Sequence, residues 1–397
     1  LMNKLFLICT LLLSVLLSGC WDQRELSDVS VAIGMAVDKG EKEKYRLSVE
    51  GINATELNSK TAGGFTPSVV FTIEGDTIAE LAQKMNVGAS KHVIYSHMRT
   101  FVMSEEIARE GLISFLDYLE RNREIRDDFN ILISRGVSPD DILKVTYPLQ
   151  KSSSLKLHTQ LQSMVDVWGG DPNVRLNDVI QALTSPGKQP VMAAVSVRGN
   201  PKKGGSLDNL KMVTPNAMVV LDSLAIFKNY KLIGYVSLDD TRNYLWAEDK
   251  LSRTALSVPC GKDKFLAAQI YNSKTRKKAK MVRGIPVINI SINSEAYIDA
   301  VQCSDDLTQV KTYEKYQKLA EEEIKRKVSA TIKKVQQKYG SDIFGFGEDV
   351  YHQDYRNFKK VQNNWDKSFK EAIVHVYVKV QLRRSGIRTK SMLSNKK

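Results

Sequence analysis

Alternating and helically spaced apolar residues divide the chain into strands and helices before any chemistry is considered. A strand-like run, Val29-Ser-Val-Ala-Ile-Gly-Met-Ala-Val-Asp38, passes through Lys39-Gly40 into the alternating stretch Tyr45 to Glu50, and the pair predicts a hairpin. Asn53 to Thr66 is polar, contains Gly63-Gly64 and reads as a loop. Val69 to Glu74 predicts a strand, and Thr77-Ile-Ala-Glu80 has the capping-box spacing that opens a helix through about Asn86. Two short strands are expected between 92 and 103. Ser104 to Arg123 carries Ile107, Leu112, Phe115, Leu116 and Leu119 near helical spacing, interrupted at Gly111. Phe129 to Ser134 and Val191 to Val197 predict strands. Helices are expected from Ser138-Pro139, over Ser153 to Val167 and over Leu176 to Leu183.

Ala217 to Phe227 and Leu232 to Val236 flank Lys228-Asn-Tyr-Lys231 as a hairpin, and Ser237-x-x-Asp240 caps a helix to about Trp246. Phe265 to Tyr271 and Val287 to Ile298 alternate, as strands with one exposed face do. A long amphipathic helix runs from about Asp306 to Tyr339, with Tyr316, Leu319, Ile324, Val328, Ile332 and Val335 on its inner stripe. In the final strand Val374, Val376, Val378, Val380 and Leu382 face one way and His375, Tyr377, Lys379, Gln381 and Arg383 the other. Strands and helices mix without regular alternation. The expected class is therefore α+β: mixed or antiparallel sheets with packed helices, in at least two α+β domains, the C-terminal one carrying the long amphipathic helix. Gly199-Asn-Pro-Lys-Lys-Gly-Gly205 opens the clearest loop signature. It divides a 20–198 region, with a further split near 137–150 as an option, from a 199–215 linker, a 216–386 domain and a basic 387–397 tail. The alternative is a long internal loop within one large domain.

Residues 1–19 stand apart. Lys4 precedes an apolar run from Leu5 to Leu17 that is too short to span a membrane comfortably, and Leu17-Ser18-Gly19-Cys20 has the form of a lipobox. Read so, 1–19 is a lipoprotein signal peptide and Cys20 begins the mature chain with a diacylglyceryl group, the covalent lipid being the only cofactor expected. An uncleaved anchor helix is the competing reading. One acyl chain binds a membrane marginally whereas two hold a soluble body there. Of the four cysteines, Cys9 leaves with the signal and Cys20 is lipidated, so an exported chain keeps Cys260 and Cys303 as a candidate disulfide; two unrelated thiols are the alternative.

The composition, 42% hydrophobic and 26% charged, is that of a globular protein, and the net charge is +13. For an exported, anchored chain this excess points to lipid head groups and cell-wall polymers rather than nucleic acid. No nucleophile elbow, phosphate-cradling loop or zincin signature occurs. The five histidines show no metal-ligand spacing; the nearest pair, His92 and His97, would lie on opposite sides of a strand. Basic residues crowd between Lys274 and Arg283, as a solvated hairpin tip or a contact with anionic lipid or polymer. Phe344, Phe346, Tyr351, Tyr355, Phe358 and Trp365, near three glycines, line a pocket or pack beneath a turn.

Cys20-Trp-Asp-Gln-Arg-Glu-Leu26 resembles the opening of the Ger(x)C family of spore germination lipoproteins. Ala32 to Asp38, Glu106 to Leu112 with the charged run Arg121 to Arg126, Ala225 to Gly234, and Trp365 with the last strand and Arg383-Arg-Ser-Gly386 resemble the same family in the same order. After the hairpin the chain reads Asp239-Asp-Thr-Arg-Asn243 where the family implies a Glu-Ser-Arg-Gly type motif, leaving Arg242 as the match. The resemblance implies the non-enzymatic C subunit of a nutrient germinant receptor, anchored on the outer face of the inner spore membrane beside membrane-embedded A-type and B-type subunits. Competing expectations are a solute-binding lipoprotein that itself captures a small-molecule germinant, and a cell-envelope hydrolase with scattered carboxylates that meet only in the fold.

Overall fold

A computed structural model describes residues 28–58 and 60–384. Its first sheet contains β1 (Val29–Lys39), β2 (Tyr45–Ile52), β3 (Ser68–Gly75), β4 (His92–Ile94), β5 (Thr100–Ser104), β6 (Asn130–Ser134), β7 (Val191–Gly199), β8 (Ala217–Lys228) and β9 (Lys231–Ser237), in the order β3-β2-β1-β5-β6-β7-β8-β9, with β4 beside β1. The centre, β1-β5-β6-β7, is parallel and the flanks are antiparallel. Parallel strands are buried on both faces, and β5 and β6 accordingly read as short continuous apolar runs, buried throughout. On one face Ala36, Val102, Leu132 and Val195 meet Ile142, Leu143, Leu157 and Leu161 from the helices Pro139–Lys144 and Ser153–Val167. On the other, Met35, Phe101, Met103 and Ile131 meet Ile107, Phe115, Leu116 and Val179 from Glu105–Glu110, Ile113–Arg121 and Leu176–Thr184.

The polar stretch at 199–215, expected as an interdomain linker, connects two antiparallel neighbours of this sheet: Val191 lies opposite Ile226 and Gly199 opposite Ala217. The stretch is tied down. Buried Asn209 donates to the carbonyls of Thr146 (2.8 Å) and Ala217 (3.1 Å) and accepts from the Ala217 amide (3.1 Å). Gly, Pro and Asn mark where a chain reverses, and are silent on whether both sides join one sheet. Near 137–150, the other suggested division, Ile142, Leu143 and Val145 pack into the same core as Ala36 and Val102.

The buried helix Leu238–Ala247, capped by Ser237 Oγ at the Asp240 amide (3.2 Å), leads into the second sheet. This sheet has the order β10 (Thr254–Gly261), β11 (Lys264–Val282), β12 (Ile285–Val301), β13 (Ile373–Arg384), the last pair parallel. The helix Val310–Lys338 packs along it through Tyr316, Ile324, Val328, Ile332 and Val335. The alternation of β13 falls as expected, Val376 and Val380 buried, His375 and Lys379 exposed. The basic run expected at a hairpin tip is instead the second half of β11, which continues to Val282 before turning. One apolar core runs unbroken from the first sheet to the second.

Candidate functional site

The signal-like stretch, Cys20 and the basic tail lie outside the described residues. Cys260, at the end of β10, and Cys303, just past β12, are joined as a disulfide, with Cα atoms 6.3 Å apart. Arg242, the residue matching the family motif, is buried in the helix Leu238–Ala247. Its guanidinium donates to the Ala255 carbonyl (3.1 Å) and to Asp239 (2.9 Å) and lies 5.0 Å from the Trp168 ring. Asn243, where a glycine was expected, sits within that helix and donates to Thr331 on the long helix (3.0 Å), so no turn is required there.

Chemistry-bearing residues converge where the two sheets meet. Glu248, its side chain 3% exposed, accepts from Lys277 of β11 (2.7 Å) and from Lys188 (3.1 Å), the latter in the loop before β7. Lys277 also reaches Asp349 (3.0 Å), and Lys188 reaches Glu348 (3.5 Å). Burial would push the Glu248 carboxyl up, but the charges of Lys277 and Lys188 together hold it below the usual range. The result is an ionised carboxylate shared by two cations, one from each sheet's side of the junction.

Beside it, the fully buried Asp342 organises a turn. Its carboxylate accepts from the amides of Phe344 (3.1 Å), Phe346 (3.2 Å) and Gly347 (2.8 Å) and from the Trp365 indole (2.9 Å). Burial raises its pKa to about 6 against the lowering effect of these bonds. Gly187, with φ +71°, and Gly347 pack so closely on the Trp365 ring that a Cβ at either would come within 2.8 Å of it. Phe344, Phe346, Phe358 and Trp365 are buried, with Tyr351 half-buried against them and Tyr355 exposed at the margin, so most of the aromatic cluster is core beneath a turn rather than the wall of a pocket. The junction is closed by Gln189 N to Asp342 O (2.9 Å), Ser341 Oγ to Phe227 O (2.6 Å) and the Lys228–Asp366 pair (2.8 Å).

Sequence reasoning passed over Glu248, Lys188 and Asp342. Lys277 was counted with its basic neighbours, although the period of two already sets it on the opposite face from Arg276 and Lys278. Asp342, ahead of Phe-Gly-Phe-Gly, had the local signature of a carboxylate collecting turn amides.

A separate cleft of about 510 Å³ lies between the helix Ile78–Lys84, β4 and the helix Ile113–Arg121. Its lining includes Gln83, Asn86, His92, Tyr95, Tyr118 and Glu124; the Nε2 of His92 is itself buried, closed off from the cleft, and has no hydrogen-bond partner among the described residues. His97 is exposed in the following turn with Nδ1 at 3.0 Å from Ser96. Among the described residues no group of three or more His, Cys, Asp or Glu gathers to hold a metal ion. Among them, too, no helix is long and apolar enough to cross a membrane.

The geometry thus defines a two-sheet α+β body whose buried charges fasten one sheet to the other. The fold is shared with a solved structure, the crystal structure of the GerBC protein, at a TM-score of 0.57 and 18% identity over 91% of this chain and 99% of that one. Residues 22–197 match the model for the spore germination protein N-terminal domain, and residues 222–386 that for the spore germination B3/GerAC-like C-terminal domain. The chain belongs to the Ger(x)C family of spore germination proteins. Similar proteins of Bacillus subtilis (strain 168) include spore germination protein KC, 29% identical over 395 residues and 97% of each chain. Spore germination protein B3 is 23% identical over 369 residues, 89% of this chain and 91% of that one.

Proposed function

We propose that this protein is a lipid-anchored C-type subunit of a spore germinant receptor, needed for the nutrient-triggered response and acting through protein contacts rather than catalysis. The observation that carries the reading is similarity along the whole chain to spore germination protein KC, combined with a lipobox that ends two residues before the family match begins. Diacylglyceryl on Cys20 holds the body on the outer face of the inner spore membrane, beside membrane-embedded A-type and B-type subunits. The fastening of the two sheets supports a part that presents fixed surfaces to neighbours.

The test is membrane fractionation with a wash at about 1 M salt, which shortens the Debye length to about 3 Å and strips contacts made by charge alone. The parent chain is expected to stay with the membrane until detergent is added and then to co-purify with two multi-span proteins; Cys20→Ala is expected in the wash. Retention of Cys20→Ala through the wash in cells lacking the A-type and B-type subunits, or isolation of a fully functional lone lipoprotein, would sink the proposal.

The cleft at His92 favours a second reading, a lipoprotein that captures the germinant itself, because its volume is that of a small-molecule site and polar Gln83, Asn86, His92 and Glu124 line it. Saturable micromolar heats with an amino acid or a sugar, abolished in His92→Phe, would promote it.

A further inference from the structure

The second sheet buries one face against its helices and leaves the other bare. Register places the outward residues of β11, β12 and β13 in rows: Lys274–Asn293–Lys379, Arg276–Ser291–Tyr377, Lys278–Asn289–His375 and Lys280–Val287–Ile373, with Val282–Ile285 at the hairpin end. Lys274, Arg276, Lys278, Lys280 and Lys379 are exposed. Among the described residues, Arg276, Lys278, Lys280 and Lys379 have no carboxylate at ion-pair distance, while Lys274 has Asp249 at 3.8 Å. These four rows contain no acidic residue. The nearest on the face, Glu295, is already paired with Arg383 (2.7 Å).

Amides on both flanks of these rows are capped by side chains. On the β11 side, Asp249, Gln353 and Asp354 accept from the amides of Thr275 (2.6 Å), Ala279 (2.8 Å) and Met281 (3.0 Å). On the β13 side, Glu321 and Gln317 of the long helix accept from Val380 and Leu382 (3.0 Å each). Capped amides cannot pair with an added strand, so along these stretches a partner meets the flat face itself.

We propose that this face docks on an anionic phospholipid surface, an inference that rests on the reading that the chain works at a membrane. Protein interfaces centre on apolar anchors with charge at the rim. Here charge runs along the β11 column and recurs at Lys379, the central strand offers uncharged Asn293, Ser291 and Asn289 between them, and the apolar groups Val282, Ile285, Val287 and Ile373 gather at one end, with exposed Tyr377 two rows away. That is the arrangement of an interfacial contact, in which Lys and Arg reach phosphates while a short apolar fringe and aromatic rings enter the head-group layer. Lys277, between Arg276 and Lys278, points inward to Glu248, so the bare face and the sheet junction are two sides of one strand.

The experiment is vesicle flotation of the chain from Trp21 onward, which carries no acyl group and contains both cores. The vesicles are phosphatidylcholine alone or phosphatidylcholine mixed with phosphatidylglycerol. Binding is expected only to the anionic vesicles and is lost in high salt. Combining Lys274→Glu, Arg276→Glu, Lys278→Glu and Lys379→Glu should weaken it by at least about tenfold. Combining Lys311→Glu, Lys318→Glu, Lys325→Glu and Lys333→Glu, the same charge change on the exposed side of the long helix, should leave most of it. Thermal melts confirm that each variant is folded. Equal flotation with both vesicle types, equal losses in both variants, or undiminished binding of the face variant would overturn the proposal. So would a face variant that floats like the parent but fails to assemble with membrane-embedded subunits, since the face would then be a protein contact. Anchoring through Cys20 is read separately, in the salt-washed Cys20→Ala chain.

Discussion

Asp342 and Asp171 are buried carboxyls whose pKa values burial raises to about 6 and about 7. Glu50, fully buried beneath the helix Ser153–Val167 and bonded to Ser152 and Ser154, is displaced upward for the same reason. An unfolded carboxyl titrates near about 4, so between there and the folded values the native chain keeps protons that the unfolded chain has released. Stability should therefore fall as pH rises from about 5 to about 7 and level off above. Carboxylates held low by partners, Glu248 and Asp240 among them, act oppositely: their contribution is present above about 4 and is lost as pH falls further. Thermal midpoints across this range should show the decline, and Asp171→Asn, whose amide oxygen can still accept from Asn173, should flatten it; an unchanged slope would refute the assignment. Glu248→Gln leaves Lys188 and Lys277 facing a neutral amide in a buried site and is expected to cost about 3–5 kcal/mol in urea unfolding. Replacement of exposed Glu110, which pairs with Lys39 at the surface, should leave the urea midpoint nearly unchanged.

At the level of single elements, the apolar pattern located most helices closely, Ser153–Val167 and the Ser237-capped helix among them, because each has its own start signal and stripe. Gly111, with φ +141°, separates two helices where expected. β10 and the short helices between 346 and 371 were missed: β10 carries Pro259 within its run, which argues against a strand, and those helices are held by Asp342, Trp365 and the junction more than by a stripe of their own. The Cys260–Cys303 bridge closes a loop with a sequence separation of 43 that contains β11 and β12. Restriction of the unfolded chain by such a loop is worth on the order of 4 kcal/mol, so Cys260→Ser with Cys303→Ser should lower the urea midpoint markedly. Peptide mapping under non-reducing conditions should recover the two cysteines in one linked pair of peptides; free thiols at both would remove the bridge.

For the whole molecule, the shared core and the junction at Glu248 and Asp342 predict one cooperative unfolding transition, with tryptophan fluorescence and far-UV circular dichroism changing together. Two resolved transitions would mean that the sheets melt separately. A fragment of residues 216–386 should fail to fold, because β8 would lose β7 and expose an open edge, and because Lys188 would no longer reach Glu248. This expectation stands even though the two family models meet near this point, at residues 197 and 222.

Elements, the lipobox, the candidate cysteine pair and the family motifs were legible along the chain because each depends on residues a few positions apart or on chemistry that needs no partner. Strand order and the passage of one sheet through the loop at 199–215 depend on pairings between distant strands, and the meeting of Lys188, Glu248 and Lys277 on contacts between residues 60 and 29 positions apart. No local spacing encodes such contacts. Burial separates Lys277 from the five basic residues around it: the alternation of β11 gives it a direction, and only the packed junction supplies the carboxylate it turns toward.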